Sequence, residues 1–150
     1  MAELTEALNT DGSAGPLSAL IVEDSGEIRE GIGRVNNGKD ESCLLSEASN
    51  ESQSMFRLGL AMPDVVIVDV TMAGHIGMNT LERLREVSTV PVIALADGEG
   101  PQARIQYLSM GADQCLSKDV SPRELLARAR ALVRRDQRRS LRSALDGFAA

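Results

Sequence analysis

The chain alternates short unbroken apolar runs with stretches in which apolar residues return every three or four positions. Leu17-Ser-Ala-Leu-Ile-Val22 ends abruptly in Glu23-Asp24 and predicts a first strand. Ile28, Ile32 and Val35 share one face of a helix over 26–36, which the turn signal Asn36-Asn37-Gly38-Lys39-Asp40 closes. Cys43-Leu-Leu45 predicts a short strand, and Glu51–Leu60 a helix presenting Met55 and Leu58. Val65-Val-Ile-Val68 is bracketed by Asp64 and Asp69 and reads as a strand buried on both faces, as in parallel sheets. Ala73–Gly77 reads as a loop, and Met78–Val87 as a helix with Leu81, Leu84 and Val87 on one side. Val90–Leu95 predicts the fourth strand, with Pro91 near its start where a missing N–H is tolerated. A helix over 101–110 then stops at Gly111-Ala-Asp113, and Gln114–Ser117 is the fifth strand. Ser121-Pro122-Arg123-Glu124 is a helix start: Ser121 caps, Pro122 suits the first helical position and Glu124 completes a capping box. That helix continues through Leu125, Leu126, Ala129, Leu132 and Val133.

Strict alternation of five strands with five helices predicts an α/β fold, a parallel sheet covered by helices on both faces. Ligands of such sheets sit beyond the carboxyl ends of the strands. The residues to inspect are therefore Glu23-Asp24, Asp69, Ala96-Asp97 and Lys118.

Composition narrows the picture. Apolar residues make up 43% of the 150, enough for a core, but aromatics are only 2%, so the core is aliphatic and few side chains could stack on bases. No apolar run approaches the roughly 18–20 residues that span a bilayer, and the acidic start has no signal-peptide pattern. Cys43 and Cys115, far apart, fit a reducing cytosol, and one His without Cys pairs argues against zinc. The net charge of −6 divides unevenly: residues 1–120 carry −11, while eight Arg against three acids give the remainder +5. An acidic body argues against duplex binding. Residues 1–16, rich in Gly, Ser and Asp, read as a flexible leader, residues 17–135 as the domain, and 136–150 as a basic, amphipathic extension of the last helix. In that extension Leu141, Leu145 and Phe148 share a face. It either folds back on the domain or serves as a docking or dimerisation helix.

Three carboxylates at neighbouring strand ends, with one ammonium opposite, call for a counter-ion. A hard divalent cation such as Mg²⁺, bound through oxygen, would relieve the repulsion and prepare one carboxylate to accept a phosphoryl group. Lys118 would hold a phosphoryl oxygen as a point charge. Singly, Asp24 and Asp69 read better as helix caps. Together the four positions favour a site.

These segments resemble the receiver domain of bacterial two-component response regulators. The resemblance covers about 17–135 and rests on Ala19-Leu-Ile-Val-Glu-Asp24, Pro63-Asp-Val-Val-Ile-Val-Asp69, Val90-Pro-Val-Ile-Ala-Leu95, Gly111-Ala-Asp113 with Lys118, and Ser121-Pro-Arg-Glu-Leu-Leu-Ala127. It implies a flavodoxin-like (βα)5 doubly wound sheet of order 2-1-3-4-5. It also implies Asp69 as phosphoacceptor, Glu23 and Asp24 as the acidic pair organising Mg²⁺, Thr71 offering its backbone carbonyl to the metal, and Lys118 contacting phosphate. The implied partners are a sensor histidine kinase and a downstream protein or second copy, met through helix four, strand five, helix five and the C-terminal extension. Such a domain is a cytoplasmic phosphoacceptor and not an enzyme in the usual sense.

Departures from the family pattern bear on the switch. Ala96 stands where Thr or Ser is usual, and Cys115 where Tyr or Phe is usual. Asp119 replaces the proline after the lysine, so a trans Lys118–Asp119 bond is expected. Ala73 and Ile76 replace residues usual in the loop after Asp69, and Ser117 is a candidate substitute for the lost hydroxyl, while His75 reads as a surface loop residue. The alternative is a pseudo-receiver, a constitutive interaction or ligand-binding module independent of phosphate. A flavodoxin-like cofactor protein is the third reading, but the chain lacks aromatics and a glycine-rich phosphate motif. The chain has no room for a DNA-binding domain of about 60 residues, so a stand-alone receiver or a fragment is expected.

Overall fold

The computed structural model describes residues 16–36, 43–98 and 100–149. The leader (save Pro16) and the turn at 37–40 lie outside the described residues. Five parallel strands form one sheet: β1 (Leu17–Val22), β2 (Cys43–Ala48), β3 (Val65–Asp69), β4 (Val92–Ala96) and β5 (Gln114–Ser117), in the order β2-β1-β3-β4-β5. The helices are α1 (Glu27–Asn36), α2 (Glu51–Ala61), α3 (Ile76–Val87), α4 (Gly100–Ser109) and α5 (Pro122–Ala149), with a 3-10 turn at Ala73–His75. This is the flavodoxin-like doubly wound arrangement.

The central strands are apolar at almost every position because both of their faces are covered. Successive residues point to opposite sides. Leu20, Val22, Val66, Val68, Ala94 and Ala96 pack with Leu81, Leu84 and Tyr107 beneath α2, α3 and α4. Ala19, Ile21, Ile67, Ile93 and Leu95 pack with Ile32 of α1 and Leu125, Ala129 and Leu132 of α5.

Several boundaries differ from the sequence expectation. β2 runs on to Ala48, because Ser46 and Glu47 continue the ladder with Leu20 and Ile21 although neither is apolar. β4 begins at Val92, two residues late, where its register with Val66 starts. The segment read as a loop through Gly77 already contains the first turn of α3. Val87, expected on the buried side with Leu81 and Leu84, is exposed at the helix end. The α2 start falls at Glu51 as expected, with a cap the sequence reading did not name: the Asn50 side chain accepts the Gln53 N–H at 2.8 Å and Gln53 Oε1 accepts from Ser49. Ser121 caps α5 as expected, accepting the Glu124 N–H at 3.1 Å, whereas the Glu124 carboxylate pairs with Arg128.

Helix α5 does not fold back. It is one helix of 28 residues, about 42 Å long at 1.5 Å per residue. Its packed part ends at Val133. From Arg134 through Gly147 no residue is buried, and Leu141 and Leu145 are 61% and 59% exposed.

Arg85 of α3 fastens the far edge of the sheet. Its guanidinium donates to the Gly111 carbonyl at 2.6 Å, the Val90 carbonyl at 2.6 Å and Asp113 Oδ2 at 2.7 Å. Asp113 Oδ2 also accepts the Val92 N–H, so one carboxylate joins the starts of β4 and β5.

Candidate functional site

The sheet delivers Glu23, Asp69, Asp97 and Lys118 to one cleft of about 470 Å³ at the carboxyl ends of β1, β3, β4 and β5. Asp24 opens beside it into an adjoining cleft at the end of β2, shared with Arg29 and Glu47. Parallel strands in register make this convergence unavoidable, because residues following each strand leave the sheet on the same edge.

Asp69 is the centre. Its side chain is only 4% exposed, and both oxygens are engaged. Oδ1 accepts the Thr71 N–H at 2.9 Å and the Thr71 hydroxyl at 2.6 Å. Oδ2 lies 3.0 Å from the Lys118 ammonium, which also donates to the Thr71 hydroxyl oxygen at 3.3 Å. The hydrogen bond to Asp69 raises the Lys118 pKa above its ordinary value; burial opposes this, and the charges of Asp69, Asp97 and Asp24 add to it. A near-buried carboxylate is thus held in a fixed orientation, with a cation on one oxygen and a short hydroxyl contact on the other.

Glu23 has a different task from its neighbours. Though 1% exposed, its two oxygens accept the N–H groups of Ile28 and Arg29, each at 3.0 Å. It therefore caps α1 from five residues upstream and places its charge at the positive end of that helix. Capping by a residue at these strand ends was foreseen for Asp24 and Asp69; it is Glu23 that caps. Asp24 is exposed.

A fit to Mg²⁺ can be read from the donors. Among the described residues no three acidic, His or Cys side chains converge as a complete cage. Mg²⁺ needs less: it keeps several waters and is held by one or two carboxylates. Asp69 and the exposed Asp24, both acting on the same ammonium, suit such an open site.

Sequence reasoning assigned Thr71 only a backbone role and passed over its hydroxyl. It also missed Gly77. A Cβ there would overlap the Asp69 carbonyl oxygen and come within 2.8 Å of the Asp69 carbonyl carbon and Val70 Cα, so α3 rests directly on the backbone of Asp69. His75 is exposed with a left-handed backbone (φ 59°), as a surface loop residue.

The two positions expected from the resemblance to bear on switching are brought together. Ala96 and the half-buried Cys115 belong to the same core cluster. Beside Ala96 a groove of about 440 Å³ opens, lined by Gly98, Arg104 and Ser117. The Ser117 hydroxyl accepts the Asp119 N–H at 3.1 Å in the turn after β5. The Lys118–Asp119 bond is trans.

Comparisons with known proteins agree with this geometry. The response regulator receiver domain family matches residues 19–130. The phosphate regulon transcriptional regulatory protein PhoB of Pseudomonas aeruginosa is 34% identical over 119 residues, covering 77% of this chain and 51% of that protein. Response regulator MprA of Mycolicibacterium vanbaalenii is 31% identical over 121 residues, covering 80% of this chain and 52% of its own. The chain thus spans about half the length of these curated relatives. Among solved structures, the Francisella response regulator 1452 receiver domain is 25% identical with a TM-score of 0.70, covering 80% of this chain and 98% of that one. The BeF3-activated receiver domain of Klebsiella pneumoniae RstA is 26% identical with a TM-score of 0.68, covering 78% and 98%. The strand order, the carboxylate pocket and these matches together place the chain in the response regulator receiver domain family of two-component systems.

Proposed function

We propose that this receiver accepts a phosphoryl group on Asp69 from a sensor histidine kinase and acts through protein contacts, with a switch weakened at Ala96 and Cys115. The observation that carries the reading is the Asp69 carboxylate, buried, held by Thr71 and paired with Lys118 at 3.0 Å. In the transfer, a carboxylate oxygen attacks phosphorus and an O–P bond forms. The donor's P–N bond breaks, and its imidazole nitrogen keeps the electron pair and takes a proton. Lys118 neutralises charge on the phosphoryl oxygens. The Thr71 N–H and hydroxyl keep the carboxylate aimed at the cleft. Asp24 and Asp69 would hold Mg²⁺ directly, with the Thr71 carbonyl as a further ligand. Glu23, engaged with α1, would act on the metal's waters through its remaining lone pairs. The cation's contribution is to offset negative charge on the transferring group.

Response regulators as a class work in the cytoplasm, and this reading puts the chain there. The outputs of PhoB and MprA belong to those longer proteins. For this chain the proposed contact surface is α4, β5 and α5 with its extension.

The pseudo-receiver reading draws on one specific observation: Ala96 has no hydroxyl for the usual hydrogen bond, and Cys115 has no ring for the aromatic swing. Intact-mass measurement after incubation with acetyl phosphate and Mg²⁺ separates the two. The expected result is one added phosphoryl group, absent from Asp69→Asn. No mass gain, under conditions that modify an ordinary receiver, would make the pseudo-receiver the correct reading.

A further inference from the structure

Beyond Val133, helix α5 leaves the domain at the amino-terminal edge of the sheet, near Leu17 and Asp64 and opposite the Asp69 cleft. Residues 134–147 contain five Arg, no Lys and two Asp. Among the described residues no carboxylate pairs within 4 Å of Arg134, Arg135, Arg138, Arg139 or Arg142. At 100° per residue these arginines fan over about 140° of the helix surface, and Leu141 and Leu145 lie within about 20° of the margin that Arg134 marks. Both leucines are more than half exposed. The flank on their other side, Gln137, Ser140 and Ala144, is uncharged, and Asp146 falls past the last arginine. The projecting half of α5 is thus an apolar stripe with cations along one side only.

We infer that this half of α5 is the docking site for an acidic amphipathic helix of another protein, a statement that rests on the protein-contact reading above and names the partner's chemistry. The partner's apolar stripe meets Leu141 and Leu145, and carboxylates along one side of that stripe meet the arginines. Arginine in place of lysine suits this, because its planar fork matches a carboxylate or a phosphate with two parallel hydrogen bonds. The leucines choose between those two anions: a phosphate backbone offers no apolar surface to cover them. A duplex or an anionic bilayer is also an extended surface, and its approach would bring up the body of the chain, which carries −11 over residues 1–120. A helix about 10 Å across fits beside the 134–147 segment, about 20 Å long, without meeting that body, and charges farther off than about 8 Å are screened. A second copy fits worse. Antiparallel pairing would set Leu141 against Leu145, but it brings no row of carboxylates to the five arginines.

The probe is a synthetic peptide of about 20 residues, long enough to hold a helix, with leucine along one face and glutamate beside it. Two control peptides carry lysine for the glutamates or serine for the leucines. Binding of labelled peptide to the full chain is followed by fluorescence anisotropy, with light scattering on the chain alone. The leucine–glutamate peptide is expected to bind about tenfold more tightly than either control. Arg134→Glu/Arg138→Glu should weaken it about tenfold and take up the leucine–lysine peptide instead, a swap that no loss of folding produces. Leu141→Ser/Leu145→Ser should weaken it about tenfold while its salt dependence stays unchanged. Equal binding of the serine control would overturn the inference by leaving charge alone as the attraction, and absence of binding would overturn it outright. A duplex of about 20 base pairs or a phosphatidylserine vesicle bound more tightly than the peptide would overturn it in favour of nucleic acid or membrane. A wild-type dimer that Leu141→Ser/Leu145→Ser dissociates would overturn it in favour of a second copy. Labelling of Asp69 by acetyl phosphate is scored separately by mass. Peptide binding absent with labelling intact overturns this inference alone, and labelling absent with peptide binding intact overturns only the phosphoacceptor reading.

Discussion

Substituting Gly77 by alanine tests how tightly Asp69 is bound to the fold. The added methyl would stand 2.8 Å from the Asp69 carbonyl carbon and from Val70 Cα, and nearer still to the Asp69 carbonyl oxygen. Carbon atoms rest about 3.5–4.0 Å apart, so helix and strand must separate by roughly 1 Å. The obstructing atoms are backbone, tied to the sheet by the Val70 N–H to Leu95 carbonyl bond of 3.1 Å and by the β3–β4 ladder, so they cannot swing aside as a side chain would. Overpacking costs about 1–3 kcal/mol, and here the upper end is expected. For a chain of this size that is a fall in Tm of about 6–12 °C. Two controls carry the opposite sign. Gly33 and Gly59 lie within helices with nothing within 4 Å of where a Cβ would stand, so alanine there should stabilise by about 0.5–1 kcal/mol. Thermal unfolding of the three variants, followed by acetyl phosphate labelling, gives both readouts: Gly77→Ala should melt lower and label more slowly, the controls melt higher and label normally. A Gly77→Ala protein that melts within 1 °C of the wild type would refute the close approach.

Three further outcomes are expected. Mg²⁺ at ten times its dissociation constant should stabilise the fold by about 1.4 kcal/mol, and Asp24→Ala should abolish that rise in thermal unfolding; a wild-type Tm indifferent to Mg²⁺ counts against the site. Lys118 has a raised pKa in the fold, so its contribution to stability is fully present below the ordinary 10.5 and is lost as pH rises through the raised value. In Asp69→Asn the Cε resonance of Lys118 should titrate at lower pH than in the wild type; an unchanged midpoint would remove Asp69 as the cause. Beryllofluoride should shift amide resonances over 96–135 little in the wild type and more in Ala96→Thr/Cys115→Tyr, since a hydrogen bond to a charged group, about 1.5–3 kcal/mol, is a large part of the about 5.5 kcal/mol a full switch needs. A large cooperative shift in the wild type would show a different route.

Much of this was legible in the sequence because the relevant signals are local. An unbroken run such as Val65-Val-Ile-Val68 can only be comfortable between two helix layers, and the abrupt acids after Val22 and Val68 mark where strands leave that environment. The strand order and the individual roles at the site came from the family resemblance. What stayed hidden was non-local. That Glu23 caps α1 depends on how the chain turns at Ser25 and Gly26, where φ is 80°. The weight on Gly77 depends on how closely α3 approaches β3, and no periodicity records a helix-to-strand distance. The Thr71 hydroxyl was overlooked because the family pattern draws attention to its carbonyl. The fate of the last helix was undecidable from its pattern: Leu141 and Leu145 continue a helical period, but on a face rotated away from Leu125, Ala129 and Leu132, and only that rotation shows that the stripe cannot dock on its own core.

The small residues at 96 and 115 also bear on where a signal could leave the pocket. On the side of the sheet under α4, the side chains nearest the strand ends are Ala94, Ala96 and Cys115, and the two alanines carry no polar atom to follow a change at Asp69. Lys118 is different. Its ammonium touches Asp69, while its backbone N–H donates to the Ala96 carbonyl at 2.9 Å at the end of the β4–β5 pair. Three residues on, Ser121 caps α5. A phosphoryl group on Asp69 would replace the carboxylate that Lys118 now grips, and Lys118 connects that site to the turn from Ser117 to Ser121. Helix α5 is continuous from that turn to its far end, about 42 Å away, and its interior contains no Pro or Gly between Arg123 and Asp146 to absorb a tilt. Any rotation at Pro122 would be carried along the helix to Leu141 and Leu145 rather than dissipated at a kink.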